Sequence, residues 1–442
     1  MIPSIDNSLR FNDRKYNTKG FTHSQQTFTG AINYSKGTKF LDKFLKSQEN
    51  LSSTRFIQGT LTNWFPKAAL SRSFIDFSEF TFLEFLESGI FYFAAPFFGE
   101  HAFRKGLFKA IQPKKLKNVI TDNIPQSLDE IRKSKTLNND LKNRLITSKG
   151  GLVLACTVVP AMEYALGFAK NLFTLKVFKV SDFNNVANLN KEKTENLEQQ
   201  KRVETHSKEV LLKTGILSAV GITSGLALAA FGHKSKAAVK LSKAILEPGE
   251  QISKLLHKIG LKSEKTDNFL KEYLKLDFVR SSSGNLALSK GQLALTCITG
   301  LFGYSSAAKD RGKLDFYEVW TRVPLVVIYT IFGSSILDAG FKKVLANKGK
   351  FPELIKRNEN GVIGAVPARK ELPKIAEKLA KLNNTTVEKE LEKLIKQKSI
   401  ITGVPYLFSI LGMGFLLSGV SRLWTKYRYD QQHKAGQNTV KN

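Results

Sequence analysis

Hydrophobic and polar positions in this chain are segregated into long blocks. Uncharged, glycine-bearing runs occupy 88–99, 150–162, 214–232, 291–308, 323–337 and 399–421, and lysine-rich stretches separate them. A membrane-crossing helix needs about 20 mainly apolar residues. The runs at 214–232, 291–308 and 399–421 meet or approach that length. Those at 150–169 and 323–341 reach it by tolerating one carboxylate each, and 88–99 falls short. The pattern predicts an all-α fold, a polytopic helical membrane protein with about five or six spans.

The intervening loops carry apolar stripes at helical spacing, namely Leu137/Leu141/Leu145, Ile252/Leu255/Leu256/Ile259 and Ile375/Leu379/Leu382 resuming at Val387/Leu391/Leu394/Ile395. Lysines fill the remaining faces, so these loops read as basic amphipathic helices. Thr385 and Glu388 have the spacing of a capping box.

Two echoes suggest paired hydrophobic units. Ser148-Lys149-Gly150-Gly151-Leu152-Val153-Leu154-Ala155-Cys156 and Ser289-Lys290-Gly291-Gln292-Leu293-Ala294-Leu295-Thr296-Cys297 agree at six of nine positions. Asp76-Phe77-Ser78-Glu79 and Asp315-Phe316-Tyr317-Glu318 form a fainter pair. The organisation expected is a polar, largely disordered tail over 1–75, paired units at 76–169, 214–308 and 309–425, a polar linker at 170–213 and a basic tail at 426–442. Internal duplication is common in membrane folds.

Composition then adds a sign. Lys and Arg total 68 against 38 Asp and Glu, a net charge of +30, which calls for an anionic partner. With six spans, the loops within units hold 39 basic residues and the opposite side 29; with 88–99 lying on the surface the count becomes 50 against 18. Either count puts the long loops on the cytoplasmic or equivalent side of a bacterial cell membrane or organellar inner membrane. Anionic membrane lipid is the expected partner, self-association is a second, and nucleic acid is less favoured. The first 30 residues lack the apolar run of a cleavable signal. Cys156 and Cys297 both lie in hydrophobic runs, so no disulfide framework is expected.

Candidate chemistry is sparse. Glu163 stands within an apolar run three residues after Pro160, and a carboxylate there needs a cavity or a partner. Pro160 would also free the carbonyl of Cys156, making this level the candidate intramembrane polar site. Ser218, Gly221 and Gly225 form a small-residue face suited to close helix packing. Trp320, Trp424, Tyr427 and Arg428 flank apolar runs where interfacial anchors belong. Asp338 and Lys342 are spaced to pair on one helix face. Histidines are scattered singly, and no phosphate loop, HExxH, GxSxG or CxxC occurs, so no metal, cofactor or catalytic residue is assigned. The paired segments and basic loops resemble the mitochondrial carrier layout in outline. That family's Pro-x-Asp/Glu-x-x-Lys/Arg signature is unmet, since Pro96 leads into Phe97-Phe98-Gly99-Glu100 and Asp338/Lys342 lacks the proline; membership is not claimed.

The expected function is therefore non-enzymatic and transport-like, for an anionic or proton-coupled solute. A membrane-organising protein that binds anionic lipid is the alternative, and a soluble basic helical nucleic-acid binder is the third.

Overall fold

The computed structural model describes residues 35–49, 64–90, 97–192, 194–280, 286–358 and 361–439. These are overwhelmingly helical. The strand content is one two-residue antiparallel hairpin, Val279–Arg280 with Leu286–Ala287, and an isolated Arg357–Ile363 bridge. Two compact units result, one built from Gly59–Ile331 with Ile410–Asn442 and the other chiefly from Phe332–Ser409 with the described part of Pro3–Gln58.

Among the described residues the longer helices of the first unit include α1 (Phe74–Gly89), α2 (Asn139–Ala155), α3 (Val158–Phe178), α4 (Leu197–Phe231), α5 (Lys290–Arg311), α6 (Lys313–Ile328) and α7 (Leu417–Thr439). Their starts are written in the sequence. Asn138 caps α2 and Asn196 caps α4, each through its side-chain oxygen, and Ser289 with Gln292 forms a capping box on α5. Between them α2 and α4 bring glycines face to face. A Cβ on Gly151 would lie 2.3 Å from the Gly225 carbonyl oxygen, and one on Gly225 would lie 2.4 Å from that of Gly151. The α3–α5 contact has the same character, with a Cβ on Gly303 falling 2.1 Å from the Tyr164 carbonyl oxygen. Leu145, Leu152, Ile120, Ile124, Leu128 and Ile131 fill the adjoining core.

The second unit contains helices Lys36–Glu49, Ser334–Asn347, Leu372–Asn383 and Val387–Phe408. Its core includes Leu45, Leu372, Ala376, Leu391, Leu394 and Ile395. The Ile375-to-Ile395 stripe thus closes on itself as a helical hairpin. The cap falls one residue later than the sequence implied: Asn384 ends the first helix with φ 51°, and Thr386, in extended backbone, caps the second. Thr385 instead donates to Glu390 at 3.1 Å.

Among the described residues, three helical stretches are long and apolar enough to cross a membrane: Asn139–Phe178, Leu197–Lys234 and Val387–Lys434. A fourth qualifies if Lys313–Gly333 and Ser335–Asn347 form one broken span. The expectation of five or six is therefore too high by this measure. The 291–308 run does become a helix, yet α5 is diluted by buried Gln292, Thr296 and Ser305 and ends in Lys309, Asp310 and Arg311. Residues 91–96, half of the 88–99 run, lie outside the described residues, as does most of the 1–75 tail.

Candidate functional site

Two helix starts in the first unit share one frame. Arg72-Ser73-Phe74-Ile75-Asp76-Phe77-Ser78-Glu79 opens α1, and Arg311-Gly312-Lys313-Leu314-Asp315-Phe316-Tyr317-Glu318 opens α6. In each, the arginine stands one residue before the cap, the aspartate is the third helical residue, and the glutamate follows three later on the same face. Ser73 caps α1 by accepting from the Asp76 N–H at 3.0 Å. Gly312 does the corresponding job for α6 by taking φ 131°, a left-handed backbone that lets α5 stop and α6 begin at once. The aspartates sit where the positive end of the helix dipole favours them.

The two frames exchange their arginines. Arg72 reaches Glu318 with a two-pronged contact of 2.8 and 3.1 Å and holds its own Asp76 at 3.2 Å. Arg311 donates to Glu79 at 3.0 Å and lies 3.5 Å from its own Asp315. Both guanidinium groups sit over Phe183, 5.3 and 5.8 Å from the ring centroid. Burial opposes the charge on each arginine, but Glu318 and Asp76 around Arg72, and Glu79 and Asp315 around Arg311, outweigh it and hold both guanidinium groups above their ordinary range.

Two further helices tie into this brace. From α3, Thr174 donates to Glu79 at 2.5 Å, Lys170 lies 3.8 Å from it, and Asn171 bridges Arg311 (3.3 Å) to the Ala307 carbonyl (2.8 Å). From α7, Thr425 donates to Glu318 at 2.8 Å, and Arg422 donates to the Lys67 carbonyl at 3.2 Å and lies 3.6 Å from Asp76. Lys67 itself pairs with buried Glu84.

Beside the brace is a cavity of about 80 Å³, bounded by Arg72, Asp76, Glu79, Lys170, Asp315 and Glu318 on one side and by Glu87, Gly167, Tyr304 and Arg322 elsewhere. It has room for several waters or a small anion. Tyr304 carries it to the residue singled out from sequence, since its hydroxyl donates to Glu163 at 3.2 Å. Glu163 is buried, its second carboxylate oxygen has no hydrogen-bond partner among the described residues, and Gly300 leaves the space it fills.

Pro160 does not open a polar notch. The helix breaks ahead of it, between Ala155 and Val158, and the Cys156 carbonyl accepts from the Val159 N–H at 3.0 Å. Pro160 instead borders a mostly apolar cavity of about 140 Å³ with Cys156, Leu288 and Leu295. Gly225 faces α2, and Gly221 faces its end and the break after it, where a Cβ would meet the Leu154 carbonyl and the Thr157 hydroxyl, while Ser218 donates back to the Thr214 carbonyl at 2.8 Å. Trp320, Trp424, Tyr427 and Arg428 gather on α6 and α7, with Arg428 4.3 Å from the Tyr317 ring centroid and 5.0 Å from that of Trp424. In the second unit, Asp338 pairs with Lys342 at 2.7 Å.

The charged brace escaped the sequence reading although half its signal was present in the Asp-Phe-x-Glu echo. Reading four residues upstream adds an arginine to both copies. No metal-holding group of three or more His, Cys, Asp or Glu occurs among the described residues. No protein-family model, curated protein or solved structure matches the chain.

Proposed function

We propose that the chain is an integral membrane protein with a transport-like role, passing a small anionic or proton-coupled solute through the cavity bounded by the Arg72/Glu318 and Arg311/Glu79 exchange and leading to Glu163. The observation that carries this reading is a charge-lined cavity in a bundle whose outer faces are bare and apolar. The apolar windows of Leu197–Lys234 and Val387–Lys434 are each only 17% buried, exposing Leu212, Leu217, Leu411, Leu416 and Leu423. Water is a poor solvent for so much contiguous apolar surface. Intramembrane ionisable groups usually face a cavity and mark pathways.

The test is reconstitution into liposomes with radiolabelled organic and inorganic anions, with and without a proton gradient. Solute uptake that Glu163→Gln abolishes while insertion stays normal supports the reading; no uptake under either condition removes it. Reporter fusions after residues 190, 260, 370 and the C-terminus must also report both sides of the membrane.

A second reading has its own support. The helices Lys236–Leu246 and Pro248–Lys258 and the turn after them leave Leu241, Leu255, Ile259 and Leu261 exposed among lysines. Such a face suits an anionic lipid surface, as expected of a membrane-organising protein. Vesicle binding that persists when Glu163 is changed, in the absence of uptake, would favour it.

A further inference from the structure

After every ion pair of the charged end is assigned, three arginines retain buried donors without a hydrogen-bond partner among the described residues; Arg311 keeps Nε and Nη2 but is already ion-paired with Glu79 and Asp315, which leaves Arg322 and Arg422. Arg322 has no ion-pair partner among the described residues, and its Nη1 is buried without an acceptor. Arg422 has a side chain only 7% exposed; its Nη2 is used by the Lys67 carbonyl and approaches Asp76, but Nε and Nη1 have no acceptor. Both guanidinium carbons lie over the same ring, Phe80, at 5.3 and 4.9 Å from its centroid. Arg322 and Phe80 line the 80 Å³ cavity.

Burying a guanidinium N–H with nothing to accept it is costly. Two such groups on one ring also repel each other. An anion between them would remove both penalties at once, because guanidinium forks match the paired oxygens of carboxylate and phosphate. Most neighbouring acids are already committed, Glu318 and Asp76 to Arg72, Glu79 to Arg311 and Glu84 to Lys67, while Asp315 lies 3.5 Å from Arg311 and Glu87 attracts both Lys67 and Arg322. They set a wall that limits the charge and size of what enters.

We infer that Arg322 and Arg422, with Phe80 between their contacts, form a binding site for one small oxyanion, a carboxylate or phosphate group. This deepens the transport-like reading and rests on it only for the meaning of binding, since occupancy can be measured without transport.

The experiment is calorimetric titration of the full chain, purified in detergent in a chloride buffer, with acetate, inorganic phosphate and dioctanoyl phosphatidic acid. Saturable one-to-one binding of at least one probe is expected, weakened tenfold or more by R322Q and partly restored by R322K, which keeps the charge and loses the fork. R422Q should act likewise; if it does not fold, the R322 pair alone decides. Tighter binding of the lipid than of inorganic phosphate assigns the site to a headgroup, and the reverse to a free solute. Absence of binding by all three probes, or equal binding by R322Q, overturns the inference. Binding without uptake in liposomes would leave this site standing and remove the transport reading, whereas uptake indifferent to R322Q would do the opposite.

Discussion

The charged end of the first unit and the glycine seam in its middle share two helices, α3 and α5, yet solve opposite problems. At the end, Lys170 and Arg311 bring charge into a buried place and are accepted because Glu79, Asn171 and Asp315 are already there. One to two turns away, Gly167 and Gly303 remove side chains so that backbones can touch, and the carboxylate of Glu163 has a single hydrogen-bond donor among the described residues, Tyr304. Interior charge here is tolerated in reciprocal sets, and where no set exists the interior is closed by contact. The contrast predicts that the end is sensitive to losing charge and the seam to gaining volume.

Arg311→Met should therefore be the most damaging change. It leaves Glu79 buried without its closest cation and Asp315 with Lys170 alone, and breaking a buried pair in this way typically costs about 3–5 kcal/mol. The measurement is the unfolding midpoint in detergent. Glu79→Leu added to Arg311→Met should recover part of the loss, because removing both charges ends the mismatch. Independent, additive losses would show that the brace is not a coupled unit.

A third charged group separates pairing from location. Glu100 is buried; burial would raise its pKa, but hydrogen bonds from Arg104, Lys105 and the Leu286 N–H bring it down to about 2. A depressed carboxylate stabilises the fold fully above its unfolded pKa, ordinarily 4.5, and the stabilisation disappears as pH falls through about 2. Stability should be flat in this respect from pH 7 to 5 and fall by up to about 3 kcal/mol below. Glu100→Gln should remove that acid-limb slope; an unchanged slope would assign the loss to other carboxylates.

In the seam, Gly225→Val would push a side chain into the Gly151 carbonyl and the Ala155 backbone and should cost about 1–3 kcal/mol or more. Gly215→Ala in the same helix meets nothing within 4 Å and should stabilise by up to about 1 kcal/mol, through helix propensity. Equal effects of the two would mean that α2 and α4 do not pack through Gly151 and Gly225.

How much of this was legible in the sequence differs between the two regions. Gly221 and Gly225 stand out in the sequence because small residues at helical spacing suit one interface locally, and Gly225 does meet a glycine, Gly151, whereas Gly221 meets Leu154 and Thr157. The brace could not be read whole, since Arg72 and Glu318 are brought together only by the fold, and an arginine near a helix start reads as solvated surface. The Ser-Lys-Gly echo shows the same limit. Lys149 falls inside α2, wholly buried against Asp277 at 2.6 Å and the carbonyls of Ile124 and Gln126, whereas Lys290 opens α5 and stays partly exposed beside Tyr273. Identical local residues acquire different roles because what surrounds them comes from elsewhere in the chain.

The smallest effect on stability should come from the residue most prominent in the sequence. Glu163→Gln keeps the shape of the side chain and an oxygen able to accept from Tyr304, while the oxygen replaced by an amide has no partner to lose. The unfolding midpoint should move by under about 1 kcal/mol, in contrast to the collapse expected for Arg311→Met. A loss as large as that of Arg311→Met would place Glu163 in an ion-paired set like that of the charged end and erase the distinction between the two regions. A neutral change accompanied by loss of uptake would make Glu163 a group retained for what passes it, since folding would then give no reason to keep a carboxylate in the seam.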